Sequence, residues 1–296
     1  MLLKSNAKKN IFLIVMLFIP VVHFIVFWGV VNFNSILMAF QGLNPTEGKI
    51  YWTLNNFKMV FSKFGEYGKL REALSNTFIT WVFLTVFLLP WAFMLTYFLY
   101  KKIRLGPLWR TMLFVPTLLP AIAMTSIFTY ILYSNAPVGK LIGLFTDKVP
   151  GFLSNPKYAK WTIIAYIFLT NFGGPFILLS GAMARVPKEL IESSYLDGGG
   201  MRVEITRIIF PLCWPTLSTL LILNIAGFFM ASGPVLLLTF GDNETATLSF
   251  WIFNEVNKYQ SFYVPAALGL FCTIILLPVV LLARWGLEKV YADVEF

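Results

Sequence analysis

Val186-Pro187-Lys188-Glu189-Leu190-Ile191-Glu192-Ser193-Ser194-Tyr195-Leu196-Asp197-Gly198-Gly199-Gly200-Met201-Arg202 is a charged island between two long stretches, Trp161 to Ala184 and Ile208 to Gly241, that contain no Asp, Glu, Lys or Arg. Pro187 suits the first position of a helix, where no N–H partner is required. Glu189 and Glu192 follow near that N-terminus, where the helix dipole favours negative charge. Leu190, Ile191, Ser194 and Tyr195 share one partly apolar face. Gly198 to Gly200 ends the helix, because glycine tolerates positive φ. The island therefore predicts a short, capped, amphipathic helix held outside an apolar layer. Such a helix either lies on lipid or docks into a groove on a partner. Its acids and glycines argue against lipid, which favours Lys and Arg on the polar face. A second helix, Arg202 to Ile209, leads on to Pro211.

Outward from the island the same alternation recurs. Charge-free stretches run over Ile11 to Asn32, Ala73 to Tyr100, Thr111 to about Ser134, Trp161 to Ala184, part of Ile208 to Gly241, and Tyr259 to Ala283. A membrane helix needs about 20 mostly apolar residues to cross about 30 Å of hydrocarbon, and each stretch is long enough. Charged residues make up 12% of the chain, against about 25% in soluble domains. With a mean hydropathy of +0.74, the pattern predicts an all-α membrane protein with six spans. The net charge of +9 belongs to Lys and Arg flanking those spans, where they meet anionic headgroups. No basic run is interleaved with aromatics, so nucleic acid is not a partner.

Lys4, Lys8 and Lys9 begin the chain like a secretory signal, but the apolar run after them exceeds the roughly 7–15 residues of a signal core. It is read as a retained span. Thirteen of the 23 basic residues fall on the inside if the N-terminus is cytoplasmic, four of them between Lys101 and Arg110, which sets the orientation and returns the C-terminus to the cytoplasm. Residues 1–72 then form the first span with an extracytoplasmic loop. In that loop Leu54, Phe57, Val60, Phe61 and Phe64 recur at helical spacing, as in an interfacial amphipathic helix. Residues 73–285 form a five-span core containing the loop 185–211, and 286–296 a cytoplasmic tail. Pro20, Pro90, Pro116, Pro120, Pro175 and Pro278 fall inside spans, where each frees a carbonyl that lipid cannot satisfy. They favour a packed, mobile bundle.

The island also carries a spaced motif. Glu192-Ser193-Ser194, three residues, Gly198, nine residues, then Ile208-Ile209-Phe210-Pro211 resembles the E-A-A, G, I-x-L-P loop of ABC-importer permeases, with serines for the alanines and Phe210 for leucine. Leu74-Ser75-Asn76-Thr77, the prolines Pro116 and Pro120, Pro187-Lys188-Glu189-Leu190, Asp197-Gly198 and, faintly, Leu238-Thr239-Phe240-Gly241 resemble the maltose and glycerol-phosphate branch over roughly residues 70 to 285. The resemblance implies a type I ABC-importer permease fold in the bacterial inner membrane. It implies pairing with a second, different permease chain, two ATP-binding subunits that hold the ATP, and an extracytoplasmic binding protein delivering carbohydrate, most naturally an oligosaccharide. In the loop it assigns Glu192 to a basic residue of the ATPase and Gly198 to the turn. It puts Ser193 and Ser194, small enough for close docking, at the same contact, while Glu189, Asp197 and Arg202 either contact the same subunit or are simply solvated.

No cofactor of the chain's own is expected. The nearest phosphate-loop pattern, Gly42 to Lys49, has five residues between its glycines rather than the four of a P-loop, and Ile50 stands where Ser or Thr is needed. Polar residues within spans face cavities or other helices. Tyr130, Asn171, Gly174, Asn224 and Ser232, with Ser180, are the candidates for a substrate pathway, and Asn171 to Pro175 is expected to unwind its helix. Cys213 and Cys272 read as packed thiols, and His23 as a packed ring. The rivals are an ion-coupled secondary transporter, which buries acids on its ion path, a membrane enzyme, which needs clustered His, Asp, Glu or Cys, and an importer for a non-sugar solute.

Overall fold

The computed structural model describes residues 2–44, 48–65, 69–145, 150–229 and 233–291. In chain order these form α1 (Lys9–Ala39), a hairpin of β1 (Gln41–Leu43) and β2 (Ile50–Trp52), α2 (Asn55–Gly65), α3 (Lys69–Tyr100), α4 (Gly106–Leu118), α5 (Ala121–Ile131), α6 (Pro137–Gly143), α7 (Pro156–Ala184), α8 (Lys188–Leu196), α9 (Met201–Ala226), α10 (Gly233–Leu238), α11 (Leu248–Tyr259) and α12 (Tyr263–Val290). Helices α1, α3, α7, α9 and α12 are each long and apolar enough to cross a membrane. The third expected span is corrected. It is two helices, α4 and α5, bent by 111°. Pro120 drives the residue before it out of the helical region, and Leu119 is extended, at φ −77° and ψ 142°. Counted as one broken span, the pair completes six.

The chain divides into two compact units, Met1–Tyr67 with Asn254–Ile274, and Gly68–Phe253 with Ile275–Phe296. In the first, the buried Asn56 amide donates to the carbonyls of Ala39 (2.9 Å) and Gln41 (2.8 Å), fixing the turn from α1 into β1. The amphipathic pattern of α2 is only partly used: Val60 is buried, whereas Leu54 and Phe61 are exposed. His23 is not packed into a bundle. It stands exposed on α1, its ring 4.7 Å from that of Phe27.

In the second unit the C-terminal half of α7 packs against α3 and α9. Tyr97 of α3, Leu179 and Met183 of α7, and Ile209 and Cys213 of α9 meet in its core, and Ile191 of α8 joins them. Two widened, π-helical turns, Leu84–Leu88 and Glu204–Ile209, each lie shortly before a proline (Pro90 and Pro211). A proline lacks the N–H and crowds the carbonyl four residues back, so the preceding turn opens. Near the start of α3, Asn76 donates to the carbonyls of Glu244 (2.9 Å) and Ala246 (2.8 Å), and the Thr77 hydroxyl accepts from the Leu248 N–H (2.9 Å). This neutral staple holds a turn in which Phe240, Gly241, Asn243 and Glu244 all have positive φ. The Trp214 indole donates to the Leu287 carbonyl (3.0 Å), joining the middle of α9 to the end of α12.

Candidate functional site

Helix α8 is the predicted island helix. Pro187 lies one residue earlier than expected, as the N-cap in extended conformation. At the other end, the Gly198 N–H donates to the Tyr195 carbonyl (3.1 Å) and the Gly199 N–H to the Ser194 carbonyl (2.8 Å). These two bonds make a Schellman cap, and Gly198 takes the required left-handed conformation, φ +80°. Gly199 is needed for a second reason: a Cβ there would lie 2.7 Å from the Ser194 carbonyl oxygen.

Ile191 is the buried apolar side chain that seats α8 in the core; Glu189, Glu192, Ser193, Leu196 and Asp197 are all exposed, as is Arg202 at the start of α9. Leu190 and Tyr195 of the predicted apolar face are also exposed, so that face is narrower than its sequence implies, and Leu196 protrudes at 88% exposure. A groove of about 580 Å³ runs between α8 and α9, with Ser193, Ser194, Asp197 and Gly198 on one wall and Arg207 and Ile208 on the other. Acidic groups, small residues and one protruding leucine around an open groove form a surface suited to docking.

Beneath α8 lies a cluster the sequence did not single out. Glu204 is 1% exposed. Its carboxylate accepts from the Lys101 ammonium at 3.1 Å (Oε1) and 3.0 Å (Oε2), and from the Tyr195 hydroxyl at 2.5 Å. Lys101 also donates to the Tyr195 hydroxyl at 3.0 Å. Burial alone would lower the lysine pKa. The hydrogen bonds to Tyr195 and Glu204, with the carboxylate's charge, outweigh burial and raise it. Only the position of Glu204 hinted at this cluster: it is the lone acid of α9, just ahead of the charge-free stretch.

The pathway candidates do not converge on one place. Asn224 lines a pocket of about 220 Å³ between α3 and α9, with Thr80, Trp81 and Phe228. The Trp81 indole donates to the Asn224 carbonyl at 3.0 Å, and its ring meets Phe228 edge-on at 5.5 Å. Asn171 borders a different pocket, of about 260 Å³, and its amide donates to the Ile167 carbonyl (3.0 Å). The helix is interrupted only at Asn171 and Phe172, between Pro156–Thr170 and Gly173–Ala184; Gly173 to Pro175 of the stretch expected to unwind are helical, and Gly173 lies against Thr117 of α4. Gly174 is exposed, Ser180 half-buried, and Tyr130 stands exposed beside Tyr133. Ser232 lies outside the described residues, as do residues 45–47 of the phosphate-loop-like stretch. Cys213 is a buried free thiol and Cys272 a half-buried one.

Six apolar spans and an exposed, capped helix between the fourth and fifth define a multi-pass membrane transport subunit. Residues 67–294 match the family of binding-protein-dependent transport system inner membrane components, and the chain belongs to it. It is 24% identical to the multiple sugar-binding transport system permease protein MsmF of Streptococcus mutans over 88% of this chain and 89% of that one. To the lactose transport system permease protein LacF of Rhizobium radiobacter it is 26% identical, over 66% and 68% of the two chains. Among solved structures, it shares its fold with a chain of a bacterial ABC transporter that imports the acidic polysaccharide alginate, with a TM-score of 0.84 at 20% identity over 98% of this chain and 99% of that one.

Proposed function

We propose that the chain is the permease subunit of a bacterial ABC importer for carbohydrate, most naturally an oligosaccharide. In this reading it forms half of the translocation pathway beside a second, different permease. It takes its energy from two separate ATP-binding subunits and its substrate from an extracytoplasmic binding protein. Both termini and the loop 185–211 are cytoplasmic. The chain performs no hydrolysis and needs no cofactor; ATP is held by the partners. The sugar class is supported by the permease names of the relatives, MsmF and LacF, and the partner set by an alginate transporter of the same fold solved with a periplasmic protein.

The observation that carries the proposal is α8: a Schellman-capped helix with Glu189, Glu192 and Asp197 exposed, held to the core by Ile191 and by the Tyr195 hydroxyl. Docked in a cleft of the ATPase, with Glu192 on a basic residue there and Ser193, Ser194, Gly198 and Arg202 at the contact, it receives the motion of ATP-driven closure. On the substrate side, Trp81, Phe228 and Asn224 offer an aromatic face beside a polar edge, which suits a sugar ring. Tyr130, Asn171, Gly174 and Ser232 remain candidates for other parts of the path.

The test is Glu192→Lys in the reconstituted importer. Reversing a charge at a paired contact should cut uptake by roughly thirtyfold or more, while the chain inserts normally and ATP hydrolysis ceases to respond to the binding protein. Uptake at the wild-type rate would refute the docking role.

A further inference from the structure

The covalent route from α8 into the bundle is compliant. It passes through Gly198 and Gly199, tied to α8 only by the two backbone bonds of the cap, then Gly200, where a Cβ would meet nothing within 4 Å, and then the widened turn Glu204–Ile209. A glycine linker absorbs a push by rotating its backbone dihedrals. Part of a motion delivered to α8 can be absorbed on this route, at Gly200 and in the widened turn.

A second, non-covalent connection bypasses the linker. Tyr195 stands on the last turn of α8, Glu204 on the first turn of α9, and Lys101 at the C-terminal cap of α3. The bonds form a closed ring: Lys101 to both Glu204 oxygens, Lys101 to the Tyr195 hydroxyl, and that hydroxyl to Glu204. The three ammonium protons and the one hydroxyl proton are all used. The Lys101 ammonium also lies 5.1 Å from the centre of the Tyr195 ring. Buried Tyr97 of α3 packs beside the same carboxylate. Helix ends reinforce the pairing, since the C-terminus of α3 favours a cation and the N-terminus of α9 an anion. From Lys101, α3 leads to Thr80 and Trp81 at the pocket shared with Asn224.

We propose that Lys101, Tyr195 and Glu204 form a latch that makes the last turn of α8 move with the cytoplasmic end of α3. Displacement of α8 then reaches the helix that lines the pocket, instead of being absorbed by the glycine linker. The three are positioning residues. The inference rests on α8 being the helix that docks on the ATPase.

The decisive variant is Tyr195→Phe. Tyr195 is 47% exposed, and losing its hydroxyl leaves the Lys101–Glu204 pair in place to support the fold. In proteoliposomes holding the complete importer, sugar uptake and ATP hydrolysis are measured together, and amide exchange is followed across residues 188–199. Uptake per ATP should fall about tenfold, the scale of one charge-assisted hydrogen bond. The ATPase subunits should stay bound, and exchange should accelerate. Lys101→Met should behave alike or worse, and Lys101→Arg should restore most of the ratio. An unchanged ratio and unchanged exchange in Tyr195→Phe would overturn the latch. Loss of the ATPase subunits from that variant would also overturn it, because the network would then serve assembly. Failure of the docking reading is seen separately, as normal uptake in Glu192→Lys; amide exchange in Tyr195→Phe would then judge the latch alone.

Discussion

Helix α3 secures a loop at each end, and it does so by two different chemistries. Near its start, Asn76 and Thr77 bind backbone groups of residues 244–248 through neutral, buried hydrogen bonds. At its far end, Lys101 binds two side chains through its charge, and that lysine is itself 34% exposed. Side-chain amides on backbone fix a loop whatever its sequence and respond little to pH or salt. An ion pair closed by a tyrosine joins three separate elements and is broken by changing one atom. The first arrangement suits a turn that must stay put. The second suits a connection that carries load and can be released.

The contrast is broken most strongly at the charged end. Lys101→Met leaves the Glu204 carboxylate buried beside Tyr195 and Tyr97 without its cation. Removing one member of a buried pair costs about 3–5 kcal/mol, and partial exposure of the lysine puts this case near the lower value; thermal unfolding in detergent measures it. Asn76→Ala orphans two backbone carbonyls, at about 1–3 kcal/mol each. The Asn76 Oδ1 is already buried without a hydrogen-bond partner, so its removal returns part of that, and a net loss of about 2 kcal/mol is expected. Thr77→Val deprives the Leu248 N–H of its acceptor and removes a second bond, from the hydroxyl to the Ala73 carbonyl (2.8 Å), and should cost about 1–2 kcal/mol. Tyr195→Phe should be the mildest for stability, at about 1 kcal/mol or less, while being severe for coupling. If all four variants followed one common order in stability and transport, the proposed division between static staple and working latch would be lost.

pH sharpens the same comparison. The Lys101 pKa lies above the ordinary lysine value of 10.5. Its contribution is therefore fully present below about pH 10.5 and is lost as pH rises through the higher folded value. The stability gap between wild type and Lys101→Met should hold constant from neutral pH to about pH 9 and close only in stronger alkali. The gap between wild type and Asn76→Ala should show no such closure, because the groups at that contact carry no charge.

Much of this was legible in the sequence, for a physical reason in each case. A span announces itself because lipid excludes charge, so five of the six stretches became spans long enough to cross. The island helix was legible because proline, the N-terminal acids and the glycines act locally, and Gly198 adopts the positive φ its position demanded. The bend at Leu119 was only half legible. Pro116 and Pro120 were visible, but whether proline kinks a helix gently or turns it by 111° depends on the neighbours. Asn76 and Thr77 looked merely like a family signature; their partners lie about 170 residues away, as do those of any staple closed by tertiary folding. The Lys101–Tyr195–Glu204 ring was hidden for the same reason. Lys101 read as one flanking charge among several, and Glu204 lies just ahead of the charge-free stretch that begins at Ile208.

The account depends most on which side of the membrane α8 faces. A single cysteine at Ser193, an exposed position on α8, placed in a chain whose Cys213 and Cys272 are replaced by serine, can be labelled with a membrane-impermeant maleimide in right-side-out and in inverted vesicles. The account predicts labelling in inverted vesicles, with protection when the ATPase subunits are bound. Labelling from the outside in right-side-out vesicles would contradict it.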